Sequence, residues 1–120
     1  MTYDELLTLF GELIDREPDI QLKGAKNKYT SINGNMIGFL GDGPTLALRL
    51  SKAERAAFLE QWPDAVVISY NTVMKDYVGV PAEILADESR LLPLWEQMMV
   101  NARALKPKPT KKPKKPKKKA

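Results

Sequence analysis

The first segment of the chain has the apolar pattern of a helix. In residues 2–16, apolar positions recur at spacings of three and four, which predicts an amphipathic helix. Thr2 and Glu5 have the spacing of a capping box, in which each side chain bonds a backbone N–H of the first turn. Pro18 ends the helix, because the residue before a proline avoids the helical conformation. We expect this helix to cover one face of a sheet.

Residues 28–50 predict three short strands joined by two tight turns. Asn33-Gly34 is the favoured dipeptide of a two-residue hairpin, since both central positions take positive φ. Residues 41–43, Gly-Asp-Gly, form a second turn of similar chemistry. Gly38 lies in the middle of the second strand, where a glycine indicates a β-bulge or a close packing contact.

A second helix and two more strands follow this meander. Ser51 and Glu54 repeat the capping-box spacing, and Pro63 ends the helix that they begin. Residues 65–70, AVVISY, are apolar almost throughout and rich in β-branched side chains. This composition predicts a central or well-covered strand. Residues 73–80 alternate loosely and predict a fifth strand.

Residues 87–105 predict a longer final helix, which follows one helical turn at residues 81–86. Asp87 is the predicted N-cap. Pro93 is tolerated near the end of the first turn if the helix starts at Ser89, and it produces a kink if the helix starts at Asp87.

Trp95, Met98 and Met99 lie on the apolar side of this final helix, and two interpretations of them stay open. Their helical spacing favours a place in the core. Alternatively, they form a face that binds a protein partner or a second copy of the chain, since methionine-rich surfaces adapt to partners.

The order of these elements is helix, three strands, helix, two strands, helix. Tight turns join neighbouring strands of the meander, and no alternation of strand and helix runs through the whole chain. The sequence therefore predicts a two-layer α+β domain over residues 1–105. We expect a five-strand, mainly antiparallel sheet with the helices on one face.

Charge separates a lysine-rich tail from an acidic body. Nine of the 19 Lys and Arg residues lie in residues 106–120, so ten remain against all 15 Asp and Glu residues. The body therefore has a net charge of about −5 and the tail +9. The tail lysines are Lys106, Lys108, Lys111, Lys112, Lys114, Lys115, Lys117, Lys118 and Lys119.

The composition of residues 106–120 predicts a disordered tail that contacts nucleic acid. The tail has four prolines and no large apolar side chain, so it cannot bury enough surface to offset the entropy cost of ordering. Lysine ammonium groups contact phosphates and do not identify bases, so binding is expected to be nonspecific. The alternatives are a solubilising extension, a segment that folds back on the acidic body, and a contact with an anionic membrane surface.

The sequence contains no histidine and no cysteine, which restricts its possible chemistry. Disulfides, thiolate metal sites and Ser-His-Asp triads are excluded, and we expect neither a cofactor nor a metal. A non-enzymatic regulatory or adaptor domain is therefore the main hypothesis. The alternative is an enzyme or small-ligand-binding domain that uses carboxylates with a lysine or a tyrosine: Asp42, Asp64, Asp76, Lys75 and Tyr77.

Two features of the chain favour a cytoplasmic location. No apolar run approaches the roughly 20 residues of a membrane span. The first seven residues, MTYDELL, include acidic side chains and no basic ones, so we expect no signal peptide.

Residues 1–105 resemble the N-terminal domain of the TfoX/Sxy family of competence regulators. The resemblance is carried by INGNMIGFLGDGPTLALRLS at residues 32–51, KDYVGVPAEILAD at residues 75–87 and LLPLWEQMMVNARAL at residues 91–105. It implies a two-layer fold with the element order α-β-β-β-α-β-β-α. It implies no catalytic residues.

The chain departs from this family in two places. The family often has a Lys-Met-Phe-Gly-Gly run at the first strand, where this chain has Ala-Lys-Asn-Lys-Tyr at residues 25–29. Full-length family members carry a second helical domain, where this chain has its lysine-proline tail. The resemblance therefore implies a stand-alone N-terminal-type domain, without transfer of the role in competence.

Overall fold

The structure, a computed structural model, describes residues 2–41, 43–69 and 71–107. Four helices and five strands account for most of these residues, and a single 3-10 turn, Pro63–Ala65, precedes the fourth strand. In chain order the elements are α1 (Tyr3–Asp15), β1 (Tyr29–Ile32), β2 (Asn35–Gly41), β3 (Thr45–Arg49), α2 (Lys52–Gln61), β4 (Val66–Ser69), β5 (Thr72–Gly79), α3 (Ala82–Leu85) and α4 (Glu88–Ala104).

The five strands form one antiparallel sheet in the order β1-β2-β3-β5-β4. Helices α1, α3 and α4 bury their apolar side chains against one face of this sheet, where Leu46, Leu48 and Val78 are fully buried. The edge-to-face contact between Phe10 of α1 and Trp95 of α4 lies in this core. The predicted two-layer α+β fold, with helices on one face of a five-strand sheet, is confirmed.

Both predicted capping boxes are formed. Thr2 Oγ1 accepts a hydrogen bond from the Glu5 N–H at 3.2 Å, and Glu5 Oε1 accepts one from the Thr2 N–H at 2.8 Å. Ser51 and Glu54 make the same reciprocal pair at the start of α2. The side chains therefore satisfy N–H groups that have no partner inside the helix.

The predicted turn and bulge of the meander are also present. Asn33 and Gly34 have φ values of 52° and 81°, as a two-residue hairpin requires. The register of β1 and β2 shifts between Thr30 and Ser31, where Ile37 is the extra residue of β2. Gly38 directly follows this bulge, and a Cβ there would lie 3.4 Å from a side-chain carbon of Leu48, at ordinary van der Waals contact. The second predicted turn includes Asp42, which lies outside the described residues.

Helix α4 begins at Glu88, one residue after the predicted N-cap. Asp87 Oδ1 accepts a hydrogen bond from the Ser89 N–H at 3.0 Å, so the cap is formed as predicted. Pro93 therefore lies inside the helix, beyond the four N-terminal positions whose N–H groups have no helical partner. Its ring removes one backbone hydrogen bond from the interior of α4.

The prediction that residues 65–70 form a central strand is wrong. β4 covers Val66–Ser69 and lies at the edge of the sheet, because β5 takes the place beside β3. The side chain of Ile68 is 66% exposed, which is far from a covered position. The apolar run predicts a strand correctly. It carries no information on the order of strands in the sheet, because that order depends on pairing with residues distant in the sequence.

The interpretation of Trp95, Met98 and Met99 as a partner-binding face is also wrong. All three side chains are buried in the core between α4, α1 and the sheet. Their helical spacing places them on the side of α4 that faces the sheet, and the core alternative is confirmed. These side chains are therefore not accessible to a second copy of the chain.

Candidate functional site

The lysine-rich tail leaves the body beside the β1–β2 hairpin. The carbonyl oxygen of Lys106 accepts a hydrogen bond from Asn35 Nδ2 at 3.0 Å, and Asn35 is only 3% exposed. Lys106 is exposed, and the contact uses only its backbone carbonyl. Of the nine predicted nucleic-acid-binding lysines, Lys106 alone is described, and the others lie outside the described residues: Lys108, Lys111, Lys112, Lys114, Lys115, Lys117, Lys118 and Lys119.

An ion-pair clasp lies next to the point where the tail begins. Arg103 of α4 donates to Asp19 Oδ2 at 2.9 Å and to Glu17 Oε1 at 2.8 Å. The hydrogen bond from Arg103 holds the pKa of Asp19 below its usual value. The other oxygen of Glu17 accepts the indole N–H of Trp95 at 3.1 Å. The clasp joins the segment after α1 to α4 and pairs Arg103 with two carboxylates.

A polar cleft of about 440 Å³ lies between this clasp and the β1–β2 turn. Lys23 and Arg103 line it together with Asp19, and Lys23 Nζ donates to Ser31 Oγ at 3.0 Å. Since a carboxylate lies among the cations, the cleft does not present a purely basic surface. The cleft is therefore a poor match to the phosphate backbone of a nucleic acid.

The residues of the carboxylate hypothesis do not converge on one site. Asp64 lies in the exposed 3-10 turn, and Asp42 is outside the described residues. Asp76 is exposed and lies 3.8 Å from Arg49 in an ion pair. Tyr77, by contrast, is buried, whereas its neighbour Lys75 is exposed.

Tyr77 stabilises the sheet through a hydrogen bond of its side chain. Its hydroxyl donates a hydrogen bond of 2.6 Å to the Met36 carbonyl, which joins β5 to β2 across β3. Burial raises the pKa of Tyr77, and the nearby Arg49 guanidinium partly opposes this shift. A phenol held in its neutral form by burial is poorly suited to act as a base.

Acidic side chains do not form a metal site within residues 2–41, 43–69 and 71–107. No group of three or more carboxylates there is close enough to hold an ion. Among the described residues, none of the helices combines the length and the apolar character that crossing a bilayer requires.

The second face of the sheet carries an apolar cluster that sequence analysis did not identify. Ala47, Val67 and Tyr77 are buried there, and Phe39 meets Tyr77 edge-to-face at 5.3 Å between ring centroids. The signal was present in β2, where Met36 and Ile37 as well as Phe39 and Leu40 are apolar. Such a strand has apolar side chains on both faces, which indicates that the second face is not purely polar.

This cluster lies at the base of a cleft of about 520 Å³. Tyr29 of β1 and Ile68 of β4 both line the cleft, although these strands lie at opposite edges of the sheet. Residues from both edges of the sheet therefore contribute to the same cleft. The volume lies in the range of small-molecule sites, and Met36 and Met74 give the walls an adaptable, apolar character.

Comparison with known proteins leaves the family of the chain unassigned. A scan against models of protein families finds no match, and a search of curated proteins finds no significantly similar sequence.

Proposed function

We propose that this protein is a non-enzymatic regulatory or adaptor domain that its lysine-rich tail tethers to nucleic acid. The observation that carries the proposal is the separation of charge along the chain. Nine lysines lie in 15 residues without an acidic residue, next to a body of about −5. A polycation of this kind binds the phosphate backbone and releases condensed counterions, whatever the base sequence.

The geometry at the start of the tail supports a tether. The hydrogen bond from Asn35 fixes the backbone of Lys106 and leaves its side chain exposed. At about 3.1 Å per residue for an extended, proline-rich chain, the 15 tail residues can reach roughly 45 Å. Phosphates could therefore be contacted without close approach of the acidic body.

The resemblance to TfoX/Sxy N-terminal domains belongs to the same proposal. The resemblance implies the element order α-β-β-β-α-β-β-α, and the structure has this order with one further short helix, α3, before the last helix. The likeness therefore bears on the fold only. The resemblance brings no catalytic residues, and the carboxylates named above do not converge, so a regulatory or adaptor role is favoured. A cytoplasmic location is also part of the proposal, because nucleic acid is the expected partner.

Fluorescence anisotropy with labelled duplexes of two unrelated sequences tests the tether. The full chain is compared across a salt series with a full-length variant in which all nine tail lysines become glutamine. We expect the native tail to bind both duplexes alike, with a slope of log K against log salt of about −8 if all nine lysines engage. The glutamine variant is expected not to bind.

A third variant, with all nine tail lysines changed to arginine, is the matched control. It keeps the length, the prolines and the charge of the tail, so it should bind with a similar salt slope. Equal binding by the glutamine variant, or no binding by the native chain at about 0.15 M salt, would contradict the proposal.

A further inference from the structure

The β4–β5 hairpin exposes a group of large apolar side chains at the edge of the sheet. Val66, Ile68 and Val73 are 39%, 66% and 44% exposed, and they come from two strands that pair with each other. Ile68 and Val73 are register partners, so their side chains lie side by side on one face. Water-exposed apolar surface of this kind is unfavourable unless another surface covers it.

The two edges of the sheet differ in their backbone pairing. Lys23 and Tyr29 exchange two backbone hydrogen bonds, of 2.8 and 3.0 Å, which cover part of the outer edge of β1. In the part of the chain that the structure describes, no strand pairs with the outer edge of β4. The N–H and C=O groups along that edge favour a further β-strand as the partner.

β4 has none of the charged residues that usually protect an edge strand. Residues 65–74, AVVISYNTVM, contain no lysine, arginine, aspartate or glutamate. Two copies of this segment can therefore approach each other without repulsion between like charges. Most of the body surface does not allow this, because it carries the net charge of about −5.

The order of side chains in β4 also matches a second copy of itself. In an antiparallel pair, opposed residues lie on the same face, so a two-fold axis through Val67 places Val66 opposite the partner's Ile68. The same pairing sets Ile68 against the partner's Val66, and both exposed residues are covered. Val67 is the residue of β4 that has no register partner on β5.

We propose that two copies of the chain associate through β4 in an antiparallel, two-fold arrangement centred on Val67, which joins two five-strand sheets into one. Four residues at about 3.3 Å each give a contact roughly 13 Å long. This is shorter than a standard interface, so we expect weak association, with a dissociation constant between about 1 μM and about 1 mM. The proposal does not depend on nucleic-acid binding.

Sedimentation equilibrium of the full chain, without nucleic acid, tests the proposal. We expect a monomer–dimer equilibrium between about 1 μM and about 1 mM. Ile68→Lys sets a charge against an apolar partner side chain and should weaken association at least about tenfold. Val100→Lys is the matched control, because Val100 is 67% exposed on α4, and it should dimerise as the native chain does.

Disulfide trapping gives a second test that does not depend on how well Ile68→Lys folds. The chain has no cysteine, so Val67→Cys introduces a single thiol that lies opposite the partner's residue 67 in the proposed register. We expect mild oxidation to convert Val67→Cys to a covalent dimer at least about tenfold faster than the control Val100→Cys. A monomer at every concentration, equal effects of the two lysine substitutions, or equal trapping of the two cysteine variants would overturn the proposal.

Discussion

At the scale of single residues, Glu17 joins the segment after α1 to the last helix, α4. One carboxylate oxygen accepts the indole N–H of the buried Trp95, and the other accepts a hydrogen bond from Arg103. The Glu17 side chain is only 14% exposed, so water does not readily replace these bonds. A buried donor that loses its acceptor costs more free energy than an exposed one.

Removal of the Glu17 carboxylate should destabilise the fold. We expect Glu17→Ala to lower the free energy of unfolding by about 1–3 kcal/mol, because the indole N–H of Trp95 loses its acceptor. Glu17→Gln keeps an acceptor oxygen and should lose less. Urea unfolding followed by tryptophan fluorescence measures both, with the exposed Asp15→Ala as the control. Equal stability of Glu17→Ala and Asp15→Ala would show that the clasp contributes little.

At the scale of elements, α2 is attached through polar contacts as well as through partly buried apolar side chains. Its ten residues are all described, and none is fully buried. The Glu54 carboxylate accepts hydrogen bonds from Gln97 and Asn101 of α4, and Arg55 Nε donates to the Tyr77 carbonyl at 3.0 Å. Trp62, at the end of the helix, lies under the Arg90 guanidinium, 5.6 Å from the ring centroid. The attachment of α2 therefore combines these polar contacts with the partial burial of Phe58 and Leu59 against the core.

Glu54 should make stability depend on pH. Partial burial acts to raise its pKa, but hydrogen bonds from Ser51, Gln97 and Asn101 outweigh it and the pKa is lowered. A lowered pKa in the folded state means that the unfolded state takes up a proton first as pH falls. The stabilisation is thus complete above the ordinary value of 4.5 and is lost as pH falls through the lower pKa of the folded state.

Urea midpoints measured between about pH 6 and pH 3 check this effect. Glu54→Gln should be less stable than the native chain near neutral pH and should show a smaller loss of stability on acidification. Glu60→Gln, on the same helix and exposed, is the control and should keep the native pH dependence. If both variants kept it, Glu54 would not be the group that links protonation to unfolding.

At the scale of the whole molecule, an acidic body carries a basic tail of larger charge. In the described part of the chain, the hydrogen bond to the start of the tail uses the carbonyl of Lys106 and not its ammonium group. If the tail serves as a tether, its lysines are available to phosphates and add little to the stability of the body. If it folds back on the acidic surface, its lysines stabilise the body.

Thermal and urea unfolding of the variant in which all nine tail lysines become glutamine distinguish these two roles. We expect replacement of all nine tail lysines by glutamine to change the free energy of unfolding by less than about 0.5 kcal/mol at about 0.15 M salt. The arginine variant serves again as the control for charge. A loss of stability in the glutamine variant alone, greater at low salt, would favour the fold-back alternative.

The sequence by itself determined the features that depend on residues close together in the chain. The capping boxes of Thr2 and Ser51 join residues three apart, and the Asn33-Gly34 turn depends on local backbone conformation. The apolar spacing of α4 favoured a core position for Trp95, because a helix has a fixed period, and the structure then excluded the partner-binding alternative. These local signals also gave the element order, from which the two-layer architecture follows.

Only the tertiary structure decided which strand lies at the edge and which surfaces remain open. Apolar residues 65–70 have the composition of a central strand, but β5 pairs with β3 and leaves β4 outside. The clasp joins residues 84 and 86 positions apart, and the cleft on the open face brings β1 near β4. Such contacts depend on how distant segments compete for pairing and burial, and local periodicity does not encode that competition.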